Sequence, residues 1–289
     1  MMNRIIVLIA AILLPALAWS QIFFKVEGEG LESPSYLFGT HHLAPLSVLD
    51  SIPEVVDALS ASSAVVGEID MQKSQENPMA LLPYMSAPAD STLTKLFTPE
   101  RFRTLNEEFH KWTGGLDLSM FDSMKPIVAN MTVALGMVIE DIPGYVPGEQ
   151  LDTYVQTYAR QAGKKVIALE TVEQQGEYVF NGVPIAEQAK ALAETLDNPA
   201  KAKEDAIRLN KCYFNQDVES LYRESLKENE DPILFENLLY RRNANWLEQL
   251  PEIFRAQPSF VAVGALHLAG EKGLVEGLRR LGFTVTPII

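Results

Sequence analysis

Two copies of one short pattern, a glycine followed three residues later by a histidine, close apolar runs at opposite ends of this chain. They are Gly39-Thr40-His41-His42 after "SYLF" and Gly264-Ala265-Leu266-His267 after "SFVAV". If both serve one site, the two end segments must enter one sheet. That requirement excludes independent halves divided near "PGYVPGEQ" and predicts a single domain over residues 21–289.

Hydrophobic spacing fills in the rest. "IFFKVEGEGLESPSYLFGT" reads as strands over 22–27 and 35–40 joined by a Gly/Ser/Pro turn, the pattern of a hairpin. "SIPEVVDALSAS" has the apolar spacing of a short amphipathic helix, and "SSAVVGEID" is a compact buried strand over about 63–69. The region from about 79 to 141 has helical spacing. In it, "TPERFRTLNEEFHKW" opens with a Thr cap and "MKPIVANMTVALGMVIE" is apolar enough for a buried helix. "LDTYVQTYARQAG" reads as a helix stopped at Gly163, "KKVIALE" as a third inner strand, and 171–250 as charged amphipathic helices. The closing "PSFVAVGALHLAGEKGLVEGLRRLGFTVTPII" gives strand, loop, helix and strand. The expected class is α/β (α+β), a central mixed β-sheet formed from both ends of the chain with a helical insertion in the middle.

Residues 1–20, "MMNRIIVLIAAILLPALAWS", carry one basic residue, an apolar stretch and then small residues, the layout of a cleavable signal peptide. Cleavage after Ser20 or Ala18 fits equally. The apolar stretch is shorter than the ~20 residues that span a bilayer, so no integral membrane span and a secreted or periplasmic location are expected. A net charge of −14 argues against nucleic acid and anionic membranes as partners. With Cys212 as its only cysteine, the chain cannot form an internal disulfide, so stability must come from an apolar core.

Candidate chemistry falls just past the predicted strands. His41 and His42 follow the first, Glu68 and Asp70 the second, Glu170 the third, and His267 the last. In open α/β sheets that edge binds ligands. Imidazoles with carboxylates fit a divalent metal held by nitrogen and oxygen, and Gly39 and Gly264 permit a sharp turn or a close approach at each strand exit. A lone histidine of this kind more often satisfies a core hydrogen bond. Its occurrence in two copies favours a site. Adjacent side chains point to opposite sides, so if His42 faces the crevice His41 does not, and His41 reads as a supporting or exposed residue. Asp70 reads as a helix cap or surface acid, His110 as a surface or packing residue of its helix, and Glu170 stands equally as site residue or helix cap. No H-E-x-x-H, G-x-S-x-G or G-x-G-x-x-G is present in a fitting context.

"YLFGTHHLAP", "VVGEID", "MKP", "KKVIALETVEQQ", "RRNANW" and "FVAVGALHLAGEKGLVEGLRRLGFTVTPI" together resemble the TraB/GumN family, whose relatives include the Tiki-type metalloproteases. The likeness covers nearly the whole chain after residue 20 and is most specific in the last block. It implies a metal-dependent site built on two Gly-x-x-His motifs and an acid, which map onto His42, His267 and Glu68. At His41 the family position is commonly apolar, so this residue departs from the pattern. The blocks around "LETVEQQ" and "RRNANW" draw Glu170, Arg242 and Asn243 towards the site as supporting residues. The plain alternatives are a surface charge for Arg242 and a helix-face hydrogen bond for Asn243.

The first functional expectation is an exported metal-dependent hydrolase, a peptidase acting on peptide or protein substrate. His42, His267 and Glu68 would hold Mn, Co or Zn, with Glu170 (or Glu68, if it is not a ligand) as general base. The second is a non-catalytic exported module that binds a peptide, haem or metal in the same crevice. A third makes the histidines turn residues only.

Overall fold

The structure is a computed structural model and describes residues 21–228 and 232–289. The expected signal peptide therefore lies outside the described residues. Six strands form one mixed sheet: β1 Phe23–Glu27, β2 Ser35–Thr40, β3 Ala64–Gly67, β4 Lys165–Ala168, β5 Ser259–Gly264 and β6 Thr284–Pro287, in the order β4-β3-β5-β2-β1-β6. The four strands from β4 to β2 run parallel, and β1 pairs antiparallel with both β2 and β6. The sheet thus takes strands from both ends of the chain, as the paired histidine motifs require.

Every residue of β3 is buried, and so are Ser259–Val263 of β5. Because successive side chains point to opposite faces, unbroken burial means both faces are covered. The cover includes Leu151, Val155 and Ala159 of the Leu151–Gln161 helix and Trp246, Leu250 and Phe254 of the Arg241–Ala256 helix, all in one core cluster with the strands. A second cluster lies within the helical insertion, around Leu105, Phe109, Val133 and Leu192, and the partly buried Leu43 of the first histidine loop packs against it.

Local signals explain the boundaries. Thr98 caps the Pro99–Trp112 helix by accepting from the Arg101 N–H. Gly163 stops the Leu151–Gln161 helix at φ 69°, a conformation that suits a residue without Cβ. β4 differs from the inner strand expected for "KKVIALE": it is the sheet edge, with Lys165 and Ala168 exposed. Its only large apolar side chains are Val166 and Ile167, both half-buried, and an edge lysine discourages further pairing.

Register fixes where the site falls. Thr40 of β2 pairs with Gly264 of β5, and Gly67 of β3 pairs with Ala262 of β5 and Ala168 of β4. The carboxyl ends of four parallel strands therefore share one edge, and Glu170 N–H donates to Glu68 O at 2.9 Å just beyond it.

Candidate active site

At that edge a buried cluster is organised by Arg242. This residue follows a five-residue π turn, Glu236–Tyr240, and opens the Arg241–Ala256 helix. All five guanidinium N–H donors are engaged. Nε donates to Glu170 Oε2 at 3.1 Å, and Nη2 donates to Glu170 Oε1 at 2.6 Å and to Glu68 Oε2 at 2.5 Å. Nη1 reaches the Leu238 carbonyl and His267 Nε2, each at 3.1 Å. The guanidinium also lies over the Trp246 ring, 4.8 Å from its centroid, one helical turn along. Arg242 is only 5% exposed, so the surface-charge alternative is overturned.

Burial and neighbours set the charges. Burial raises the Glu68 carboxyl, but Arg242, His267 and the Gly264 N–H outweigh it and hold the group down at about 2. Glu170 goes the other way: desolvation raises its carboxyl despite the Arg242 contacts. One acid is thus kept ionised and its neighbour is biased towards protonation. Gln175 Nε2 donates to both, at 3.1 Å to Glu68 and 3.3 Å to Glu170. Glu170 is not a helix cap. Thr171 fills that place for the Val172–Asn181 helix through a capping box with Gln174. Glu170 also lines a surface cavity of about 330 Å³ together with Asp70, Lys73 and Thr171.

His267 is held in one tautomer by geometry. Asn243 Nδ2 donates to the carbonyls of His267 and Lys272, so its Oδ1 is free to accept, and His267 Nδ1 lies 2.7 Å from that oxygen. His267 Nδ1 therefore carries the proton and Nε2 presents a lone pair towards Arg242 and Glu68, whose Oε1 is 3.7 Å away. Burial, opposed by Glu68, lowers the ring to about 3, so it is neutral at pH 7. Asn243 is 1% exposed, and its side chain bonds the histidine motif and the loop after it rather than its own helix.

The first motif is arranged differently. His42 has a 72% exposed side chain, with Nδ1 3.7 Å from Asp152 Oδ2. Thr40 Oγ1 donates to Asp152 Oδ1 at 2.9 Å, whereas Asp152 Oδ2 is buried and has no hydrogen-bond partner among the described residues. Burial raises the Asp152 carboxyl, with His42 pulling against it. His41 turns the other way. Its Nδ1 accepts from the Leu43 N–H at 3.1 Å, its ring packs 4.9 Å from Tyr213, and burial with the neighbouring His42 lowers it to about 4. Adjacent histidines do face apart, and it is His42 that meets solvent.

Gly39 and Gly264 have different reasons. Neither has positive φ among the described residues. A Cβ at Gly39 would sit 2.9 Å from Ala265 Cα, so the two motifs touch through backbone. At Gly264 the nearest atom would be Glu68 Oε1 at 3.3 Å, and the Gly264 N–H donates to that oxygen at 2.8 Å. Asp70 caps the Met71–Glu76 helix and pairs with Arg160. His110 sits exposed on the Pro99–Trp112 helix, away from the cluster.

A divalent ion, implied by the resemblance, meets the right donor chemistry: two imidazoles, Glu68, Glu170, and the orphaned buried oxygen of Asp152. The donors stand as two pairs, Glu68 with His267 and His42 with Asp152, each 3.7 Å apart. Among the described residues, no three His, Cys, Asp or Glu side chains form a ready-made metal cluster. The pairs do sense each other, since His42 acts electrostatically on Glu68. The residues thus fit the ion in kind, in two halves.

Sequence reading passed over Asp152, Gln175 and Trp246. Asp152 was disguised as an ordinary acid in a helix first turn. Gln175 and Trp246 lie about one helical turn beyond Glu170 and Arg242, which was a usable signal.

The chain is 25% identical to metalloprotease TIKI2 of Danio rerio, over 87% of this chain and 58% of that protein. It is 26% identical to metalloprotease TIKI1 of Xenopus tropicalis, over 88% of this chain and 59% of that protein. The chain thus spans less than two thirds of the length of these relatives. No solved structure matches significantly. The TraB/PrgY/gumN family matches residues 22–287, nearly every residue described above, and the chain belongs to that family.

Proposed function

We propose that this protein is an exported metal-dependent hydrolase of peptide bonds, in which His42, His267 and Glu68 hold a divalent ion, Mn, Co or Zn. The supporting observation is the pairing of Thr40 with Gly264, which hangs both histidine motifs from adjacent parallel strands at one sheet edge, beside Glu68 of the next strand. The similarity to proteins named metalloproteases supports the same reading. When bound, such an ion polarises a scissile carbonyl and lowers the pKa of water.

This chain's residues supply the rest. Glu68 stays ionised through the working range because its carboxyl is held at about 2, which suits a charge-providing role. Glu170, raised by burial, is the group to take a proton from the attacking water at a carboxylate oxygen and return it to the leaving amine. Arg242 holds both acids at fixed separation, and Asn243 keeps Nε2 of His267 unprotonated and turned towards Arg242 and Glu68. No helix among the described residues is long and apolar enough to cross a membrane.

A second reading has one observation behind it. Arg242, with the Gly264 N–H, already engages the acceptors of Glu68, Glu170 and His267 Nε2, which suits a non-catalytic module that binds a peptide, haem or metal. Elemental analysis of protein purified without a His tag separates the two. The hydrolase reading expects a stoichiometric divalent ion that the folded His42→Ala/His267→Ala variant lacks, and cleavage of members of a broad peptide library. A wild type that takes up no Mn, Co or Zn, or that cleaves nothing once loaded, overturns it.

A further inference from the structure

His267 has its Nδ1 proton fixed by Asn243 Oδ1, an oxygen delivered by a neighbouring helix, and therefore turns an unprotonated Nε2 towards Arg242 and Glu68. In the other motif, the oxygen facing the histidine is Asp152 Oδ2, also delivered by a helix, Leu151–Gln161, and 3.7 Å from His42 Nδ1. That oxygen is buried and without a hydrogen-bond partner among the described residues, an unfavourable state for a carboxylate. Its twin, Oδ1, is fixed by Thr40, a residue of the same motif, so the carboxylate is aimed and cannot swing away freely. The His42 ring is mostly exposed, so closing the remaining gap needs only a rotation of an unpacked side chain.

We propose that Asp152 positions His42: its Oδ2 accepts the Nδ1 proton of His42 and leaves Nε2 unprotonated, as Asn243 does for His267. The two motifs, on adjacent strands, then carry the same imidazole tautomer. A carboxylate behind an imidazole is the usual way a ligating histidine is oriented and made more basic. What Nε2 is for rests on the cation reading above, but the tautomer that Asp152 imposes does not.

The test is ¹⁵N NMR of the histidine rings in the whole protein at about pH 8. The His42 signals are assigned by their loss in His42→Ala. Wild type is expected to show His42 protonated at Nδ1. In Asp152→Asn the amide keeps its oxygen on Thr40 and points Nδ2–H at His42, so the tautomer should invert to Nε2–H. Mn²⁺ titration should show affinity falling about 10- to 100-fold in that variant. Wild-type His42 protonated at Nε2, or no inversion in a folded Asp152→Asn protein, overturns the proposal whatever Mn²⁺ does. Inversion in a protein whose wild type takes up no Mn²⁺ leaves Asp152 in its role and removes the cation reading instead.

Discussion

Replacing Arg242 with methionine removes a buried cation without opening a large cavity. It leaves Glu68 and Glu170, with side chains 14% and 4% exposed, facing each other with Gln175 as a shared donor. Removing one partner of a buried ion pair costs about 3–5 kcal/mol, because the other charge is left uncompensated. Two carboxylates are stranded here, which pushes the loss upward. Glu170 can escape by taking a proton, since burial has already raised its carboxyl, and that limits the loss. We therefore expect about 4 kcal/mol at pH 7, equivalent to roughly 8–16 °C in Tm for a chain of this size. The loss should shrink as pH falls, because a protonated acid needs no counter-ion and the folded variant then binds more protons than the unfolded chain. Urea unfolding followed by circular dichroism measures it, and Arg242→Met combined with Glu170→Gln should recover more than about 1 kcal/mol. A single variant within about 1 kcal/mol of wild type, or one whose deficit grows in acid, would refute the view of Arg242 as the charge that holds the cluster together.

Wild-type stability should fall as pH drops below 6.5. The unfolded chain takes up protons there, whereas His267 and His41 stay neutral in the fold down to about 3 and about 4, each contributing up to about 1.4 kcal/mol per pH unit. Glu68 adds to the loss between 4.5 and about 2, while Glu170 and Asp152, raised by burial, gain protons in the fold and push the other way, so a flat profile between pH 6.5 and 5 contradicts the burial argument. Asn243→Ala removes the donor to two carbonyls and the acceptor for His267 Nδ1, and should cost about 2 kcal/mol in thermal unfolding; near-neutral behaviour would show those bonds replaced by water. Gly39→Ala should cost about 1–3 kcal/mol, because its Cβ meets Ala265 backbone at 2.9 Å, and Gly264→Ala should cost less. The reverse order in urea midpoints would refute the close-approach reading of the first motif.

The sheet was legible because its strands are short apolar runs bounded by turn residues, and the hairpin of β1 and β2 matches its expected bounds to within a residue. The edge position of β4 was less so, since strand order depends on tertiary pairing that no local pattern encodes. His267, Glu68 and Glu170 converge because each follows a parallel strand. The cluster's central residue was harder to see. Arg242 looks like one of many charges on a helix, and only the carboxylates brought to it by β3 and β4 make it interior. Asp152 was hidden for the same reason, as its partners Thr40 and His42 lie more than a hundred residues away.

The position of β5 between β3 and β2 has a consequence for how the protein comes into being. The β1–β2 and β3–β4 pairs have nothing to join them until Ser259–Gly264 arrives between β2 and β3, so each pair carries an open apolar edge for most of synthesis. A chain delivered through a membrane in extended form would tolerate this delay, because it stays unfolded until its last strands emerge. The same insertion makes an early-terminated product incapable of closing its sheet, and so a substrate for quality-control proteases before it can display a partial site.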